Sequence, residues 1–236
     1  MGVVIPIFLF LCLVGLILSA PRIEGWRAGH RCRQAAAELV ATHGFTAEPQ
    51  AGPSLVPWSA PPFHYGQRVR VRDAVRGSFD GLAATVFGYT CQENGTAHWY
   101  GVAVIQLPGR LSPIEVHHER VFSSVRVGYA PSYSPCPTGE PAFDSAHRVS
   151  SPDEGLAHTL LTPQAARSLL AAPEPFDWRV AEETLVVWRR DGWTSGAAAA
   201  GCCLAVVQVL APALDLEPAI VSDPLRDAPG PSRRAE

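Results

Sequence analysis

The sequence predicts an α+β fold: an N-terminal transmembrane helix followed by an antiparallel β-meander sheet packed with three or four helices. Three observations predict it. Residues 2–20 are apolar and carry no charge. Asp80-Gly81 and Asn94-Gly95 separate three runs of strand composition. Apolar residues recur at helical spacing before and after that meander. The chain of 236 residues divides into an anchor (1–21), an amphipathic helix (22–45), a proline-rich linker (46–67), an α+β domain (68–220) and a disordered tail (221–236).

Ile5, Ile7, Phe8, Leu9, Phe10, Leu11, Leu13 and Val14 lie in a run long enough to span the hydrocarbon core as a helix, for which ~20 residues suffice. A cleaved signal peptide is the rival reading. It needs a basic stretch before the apolar run and a small-residue cleavage site, and here proline follows Ser19-Ala20 directly. Arg22, Arg27, Arg31 and Arg33 all follow the run, and no basic side chain precedes it. The positive-inside rule then places the N-terminus outside and the domain in the cytoplasm. The lipid bilayer is the partner of residues 2–20, and the same arginines are within reach of anionic headgroups.

Arg22 to His43 reads as a helix. Arg27, Arg31, Gln34 and Glu38 share one face, and Cys32, Ala35, Ala36, Leu39 and Val40 fill the other. An apolar face made mostly of alanine suits packing on the domain better than lying in lipid. Gly44 is placed to end it. Pro49, Pro53, Pro57, Pro61 and Pro62 make 46–67 an irregular wrap, with Trp58 and Phe63 as pins into the core.

Val69 to Phe79, Leu82 to Thr90 and Thr96 to Leu107 form the meander, because Asp-Gly and Asn-Gly tolerate the two positive φ angles of a type I′ turn. Pro108-Gly109 ends the third strand, and Ile114 to His118 is a fourth. Phe143 to Ser150 reads as a strand. Ser151, Pro152 and Glu154 supply an N-cap, an N1 proline and a capping box for a helix that Thr162-Pro163 restarts. Phe176 to Val180 and Thr184 to Arg190 read as two strands paired through a short turn. Thr194 to Ala213 is a helix apolar nearly all round, capped by Thr194. It is read as buried in the domain, with a second membrane span as the alternative.

This order of elements resembles a family of membrane-anchored proteins of unknown function from high-GC Gram-positive (actinobacterial) bacteria. The resemblance rests on an R-x-R segment leading to Val75-Arg76-Gly77-Ser78-Phe79-Asp80-Gly81, then Phe87-Gly88-Tyr89 and Val102 to Pro108. It continues through Phe143-Asp144-Ser145-Ala146-His147-Arg148-Val149 and the Leu160-Leu161-Thr162-Pro163 helix to Leu185-Val186-Val187-Trp188-Arg189. It covers roughly residues 25–220 and implies a fold and an anchor. It implies no activity.

No phosphate-binding loop, dinucleotide fingerprint, nucleophile elbow or zinc-protease motif occurs in the sequence. All 19 basic residues are arginines, which removes lysine Schiff-base chemistry, and a net charge of −3 gives no global attraction to nucleic acid. The six cysteines form no C-x-x-C pair and read as buried small hydrophobes, with a Cys91–Cys136 bridge left open. His117 and Glu119 share a strand face and are the one plausible ligand pair, but a solvated strand end describes them better. Asp144 and His147, beside Arg148, form the second cluster, for which solvated surface is likewise the better reading. Arg68, Arg70, Arg72 and Arg76 make a basic strand edge, the first three on one face, of the kind that deters aggregation and that is also able to meet lipid phosphate. No catalytic residue, cofactor or metal site is assigned. The expected function is a non-enzymatic interaction or scaffolding module with a protein partner. The alternative is a membrane-associated hydrolase or other enzyme of unrecognised type.

Overall fold

The computed structural model describes residues 25–49, 62–63, 67–93, 96–118 and 133–214. The anchor, most of the proline-rich linker, the Asn94-Gly95 turn, Glu119 and the tail lie outside the described residues. The fold is α+β, built on a six-stranded antiparallel sheet.

Helix α1 (25–42) leads into the short strand β1 (Thr46–Ala47). Gly44 between them takes φ +68°, the left-handed conformation expected of a helix-ending glycine. Strands β2 (Gln67–Phe79), β3 (Leu82–Glu93) and β4 (Thr96–His118) form the meander. Asp80 and Gly81 both have positive φ (51° and 79°), as a type I′ turn requires. β4 is the central strand. Its first half pairs with β3, its second half pairs with β5 (His147–Ser150), and β6 (Asp177–Arg190) runs along its other side.

Two expected breaks are absent. β4 does not end at Pro108-Gly109, and β6 is one strand where two were expected. Both strands continue through a bend, marked by register shifts on either side of Leu111↔Glu182 and by φ +56° at Glu182. Proline and glycine are tolerated there because a bulge leaves its residues out of the ladder. The bulge also inverts which residues face which side. Val102 and Val104 share a face in the first half, and Glu115 and His117 occupy that face in the second.

The segment expected as one strand over Phe143–Ser150 is helix α2 (Pro141–Ala146) followed by β5. Pro141 presets the first helical turn, and no β-branched residue opposes it. Helices α3 (Glu154–Leu160) and α4 (Pro163–Leu170) are divided at Thr162-Pro163 as expected. The cap of α3 is Asp153 and not Ser151, whose hydroxyl donates to the Pro113 carbonyl and accepts from Asp153 N–H. Helix α5 (Gly196–Leu210) is capped by Ser195, one residue after the expected Thr194, and a 3-10 turn (Ala211–Ala213) follows.

All five helices cover one face of the sheet. Leu39, Phe143, Leu160, Ala166, Cys203 and Val207 meet Val86, Ala103, Ile105, Val116, Trp178, Val180 and Val187 in the principal core. The stretch Gly196–Ala213, α5 with its 3-10 turn, is long and apolar enough to cross a membrane, yet ten of the fifteen residues of α5 are buried within the domain. On the opposite face Phe63 packs with Phe87, Tyr89, Val102, Val186 and Trp188, and the Tyr89 hydroxyl donates to the Phe63 carbonyl at 3.0 Å. Phe63 is therefore one of the pins expected of the linker.

Helix α1 belongs to the core. Ala28, Cys32, Ala35, Ala36 and Leu39 are buried. Gly88 and Gly101 are register partners, so the sheet presents bare backbone at that point. A Cβ on Gly88 would lie 3.1 Å from Cys32 Cβ, and one on Gly101 would lie 2.5 Å from the Trp193 ring. A Cβ on Gly196 would lie 2.8 Å from the Ala35 carbonyl, so α1 and α5 touch backbone to backbone. Glu38 of α1 then accepts a hydrogen bond from Gly196 N–H at 2.6 Å, placing a carboxylate at the positive end of α5.

Candidate functional site

The polar side chains that the fold gathers most tightly lie where β4 and β6 bend. Glu115 is cross-strand to Ser150 of β5 and Arg179 of β6, so all three share one face. His117, Arg148 and Asp177 follow one pleat further on. Glu115 is fully buried, and Arg179 Nη1 lies 3.2 Å from its carboxylate. His117 stands 4.0 Å from Glu115 and 3.7 Å from Asp177. The His117 ring also meets the Trp188 ring edge-on, with centroids 5.6 Å apart. Eleven residues of β6 separate Trp188 from Asp177, about 36 Å if extended. The ring contact therefore requires the β4–β6 ribbon to fold back, bringing the charged cluster against the apolar layer.

The electrostatics follow from that enclosure. Burial pushes the Glu115 carboxyl above its ordinary range, and the Arg179 guanidinium and the Ser150 hydroxyl oppose the shift. His117 is pushed down to about 4, by burial first and then by Arg179 and Arg148. Two carboxylates near an imidazole would ordinarily raise it. Here the distances exceed hydrogen-bonding range, and the loss of water together with two guanidinium groups outweighs them. His117 is neutral at pH 7, so its contacts with Glu115 and Asp177 are dipolar and not ion pairs.

The structure answers the sequence expectations one by one. His117 is brought to Glu115 and Asp177, and its expected companion Glu119 lies outside the described residues. His118 faces the other way, as strand alternation demands, and its ring meets His147 at 5.1 Å. His147 stacks on Phe143 at 4.4 Å and is also pushed down to about 4, chiefly by burial. Asp144 does not point at His147 as a catalytic partner. It accepts from Thr138 N–H (2.9 Å), the Thr138 hydroxyl (2.8 Å) and Gly139 N–H (3.1 Å), closing the turn before α2. Asp144, His147 and Arg148 do line a cavity of about 310 Å³ together with Pro135, Cys136 and Pro137. Cys91 and Cys136 are buried and not joined by a disulfide, so the bridge left open is not formed. Among the described residues no group of three or more His, Cys, Asp or Glu side chains is arranged to hold a metal ion.

Sequence reasoning missed Glu115, Asp177 and Arg179. The extra residues of β4 between Gln106 and Ile114 set their common face, and Pro108-Gly109 within them reads as the end of a strand. A second buried ion pair was also missed, because it joins a loop residue to the far end of β6. Glu174 meets Arg189 at 3.1 Å and accepts from the Thr194 hydroxyl at 2.8 Å, holding the turn from β6 into α5.

Chemically, the bend cluster is a closed set of charges. Its only carboxylate at the centre has no exposed surface, and its imidazole is neutral and ringed by arginine and tryptophan.

The chain matches no protein-family profile and no curated protein. Among solved structures it is similar to the crystal structure of the mycobacterial trehalose monomycolate transport factor A, TtfA. The TM-score is 0.53 at 13% identity, covering 77% of this chain and 95% of that one. At that identity the likeness shows the fold.

Proposed function

We propose that this chain is a membrane-tethered, non-enzymatic module that holds a protein partner at the cytoplasmic face of the membrane. One observation carries the reading: α1, which follows the apolar N-terminal run, is built into the domain core. Its buried stripe packs on the sheet, and Glu38 caps α5. An anchor joined to such a helix would fix the height and orientation of the whole domain, which suits assembly with another membrane component and serves a diffusing enzyme little. Of the polar side chains that sequence inspection singled out, His117, Asp144 and His147 are engaged in internal contacts. The neighbour of similar fold is a transport factor, which supports an accessory role beside a transporter, with a lipid or a protein as the object handled.

The test is affinity purification of the full chain from its native membranes. The expected result is a discrete integral membrane partner that is retained when residues 1–21 are exchanged for an unrelated span. Release of the chain by carbonate washing would overturn the tether. Hydrolysis of generic ester or phosphate substrates, abolished by His117→Ala in a folded variant, would overturn the non-enzymatic reading.

A further inference from the structure

We infer that the end of the domain where α1 begins is a docking surface for anionic lipid headgroups; the inference rests on the tethered reading above. Trp26, in the first described turn of α1, is 71% exposed and leans on His30 with ring centroids 5.8 Å apart. Arg27 and Arg33 are exposed on the same outward side of the helix. Arg31 is half-buried along the flank nearest β6, where it donates to the Asp191 carbonyl oxygen.

The sheet continues this surface. Arg70 and Arg72 of β2 are register partners of Thr90 and Gly88, and Gly88 lies beneath Cys32 of α1. Their side chains therefore rise on the helix-bearing face, beside α1. Asp73 and Glu48 are the acids beside Arg72; Asp73 stands 3.8 Å from the exposed Arg33 and Glu48 is paired with Arg76, so neither neutralises Arg70 or Arg72.

Charge is polarised along the strands. The chain carries −3 in total. At the end bearing Arg70 and Arg72 stand Arg27, Arg31 and Arg33 of α1, with Arg68 and Arg190 on the strands, against Asp73, Asp191 and Glu93. At the opposite end of the same strands lie Asp80, Glu182 and Glu183, with Arg110 paired to Glu183. The basic end is the one the N-terminal segment enters. Only a few residues separate the apolar run 2–20 from Trp26, at most about 3.6 Å each. An exposed indole flanked by guanidinium groups has the composition that favours the headgroup layer: the ring sits at the interface and the guanidinium forks pair with phosphate oxygens.

The experiment uses the full chain in lipid nanodiscs of phosphatidylcholine alone or doped with phosphatidylglycerol, each in a brominated form that quenches tryptophan. The Trp26 contribution is isolated by difference from Trp26→Phe. Quenching of Trp26 should rise in the anionic discs and fall when ionic strength is raised. The Arg70→Gln/Arg72→Gln variant, checked by its melting midpoint, should lose on the order of tenfold in surface docking. Equal Trp26 quenching in the two lipids, or an unaltered signal in the folded double variant, would overturn the docking surface. Displacement of Trp26 from anionic discs by a short nucleic-acid duplex at physiological salt would assign the patch to nucleic acid and also overturn it. Failure of the chain to float with lipid at all would count against the tether, a separate result from any change at Trp26.

Discussion

His117 and His147 each titrate near 6.5 when unfolded and are held down to about 4 in the folded domain. As pH falls from 6.5 towards 4 the unfolded chain binds protons that the folded one refuses, so stability is lost through that window and is fully present above it. Allowing for their partial exposure, the two together are worth about 3 kcal/mol. Thermal melts across this range should show a falling midpoint, and the His117→Asn/His147→Asn double variant should flatten the slope. At Glu174, replacing the carboxylate by an amide leaves Arg189 mostly buried without its countercharge. Glu174→Gln should destabilise the domain by about 1–3 kcal/mol in chemical denaturation, as expected for a buried charge that loses its partner.

Elements differ in how much of them could be read in advance. The Asp80-Gly81 hairpin, α1 with its glycine stop, the α3–α4 division and the α5 core helix were legible, because each depends on local chemistry: a turn dipeptide, a cap, a stripe. The long strands β4 and β6 were not. Proline and glycine in β4 and the charged Glu182-Glu183 in β6 look like stops, but a partner strand carried the pairing past them. α2 was hidden because Phe143 and Val149, both buried, suggested one continuous strand. The bend cluster was illegible for the same non-local reason, since the face each residue takes depends on the extra residues of β4. The contact of α1 with α5 makes a sharp element-level prediction. Gly196→Val would drive a branched side chain into the Ala35 carbonyl and Leu39 N–H, so it should cost about 2 kcal/mol or more. Gly44→Val, where nothing lies within 4 Å, should cost only the strain of positive φ, about 1–2 kcal/mol. Equal losses at the two sites would contradict the close helix contact.

For the molecule as a whole, the arginine asymmetry around the apolar run predicts a cytoplasmic domain. A reporter active only in the cytoplasm should function when fused after residue 214, and one active only outside should not; the reverse pattern would invert the topology.

The five cysteines of the described residues have a practical consequence for anyone following the domain in time. Cys32 sits in α1, Cys91 in β3, Cys136 beside β5, and Cys202 and Cys203 in α5, all buried and unbridged. Burial pushes Cys32 and Cys202 up to about 12 and Cys203 well above its ordinary value, so their thiolates are scarce while the domain is folded. Alkylation can then proceed only through opening of the structure, and each sulfur becomes a clock for the element that hides it. With Cys12 replaced by serine, the rate at Cys32 times the departure of α1, and the rate at Cys203 times the exposure of the centre.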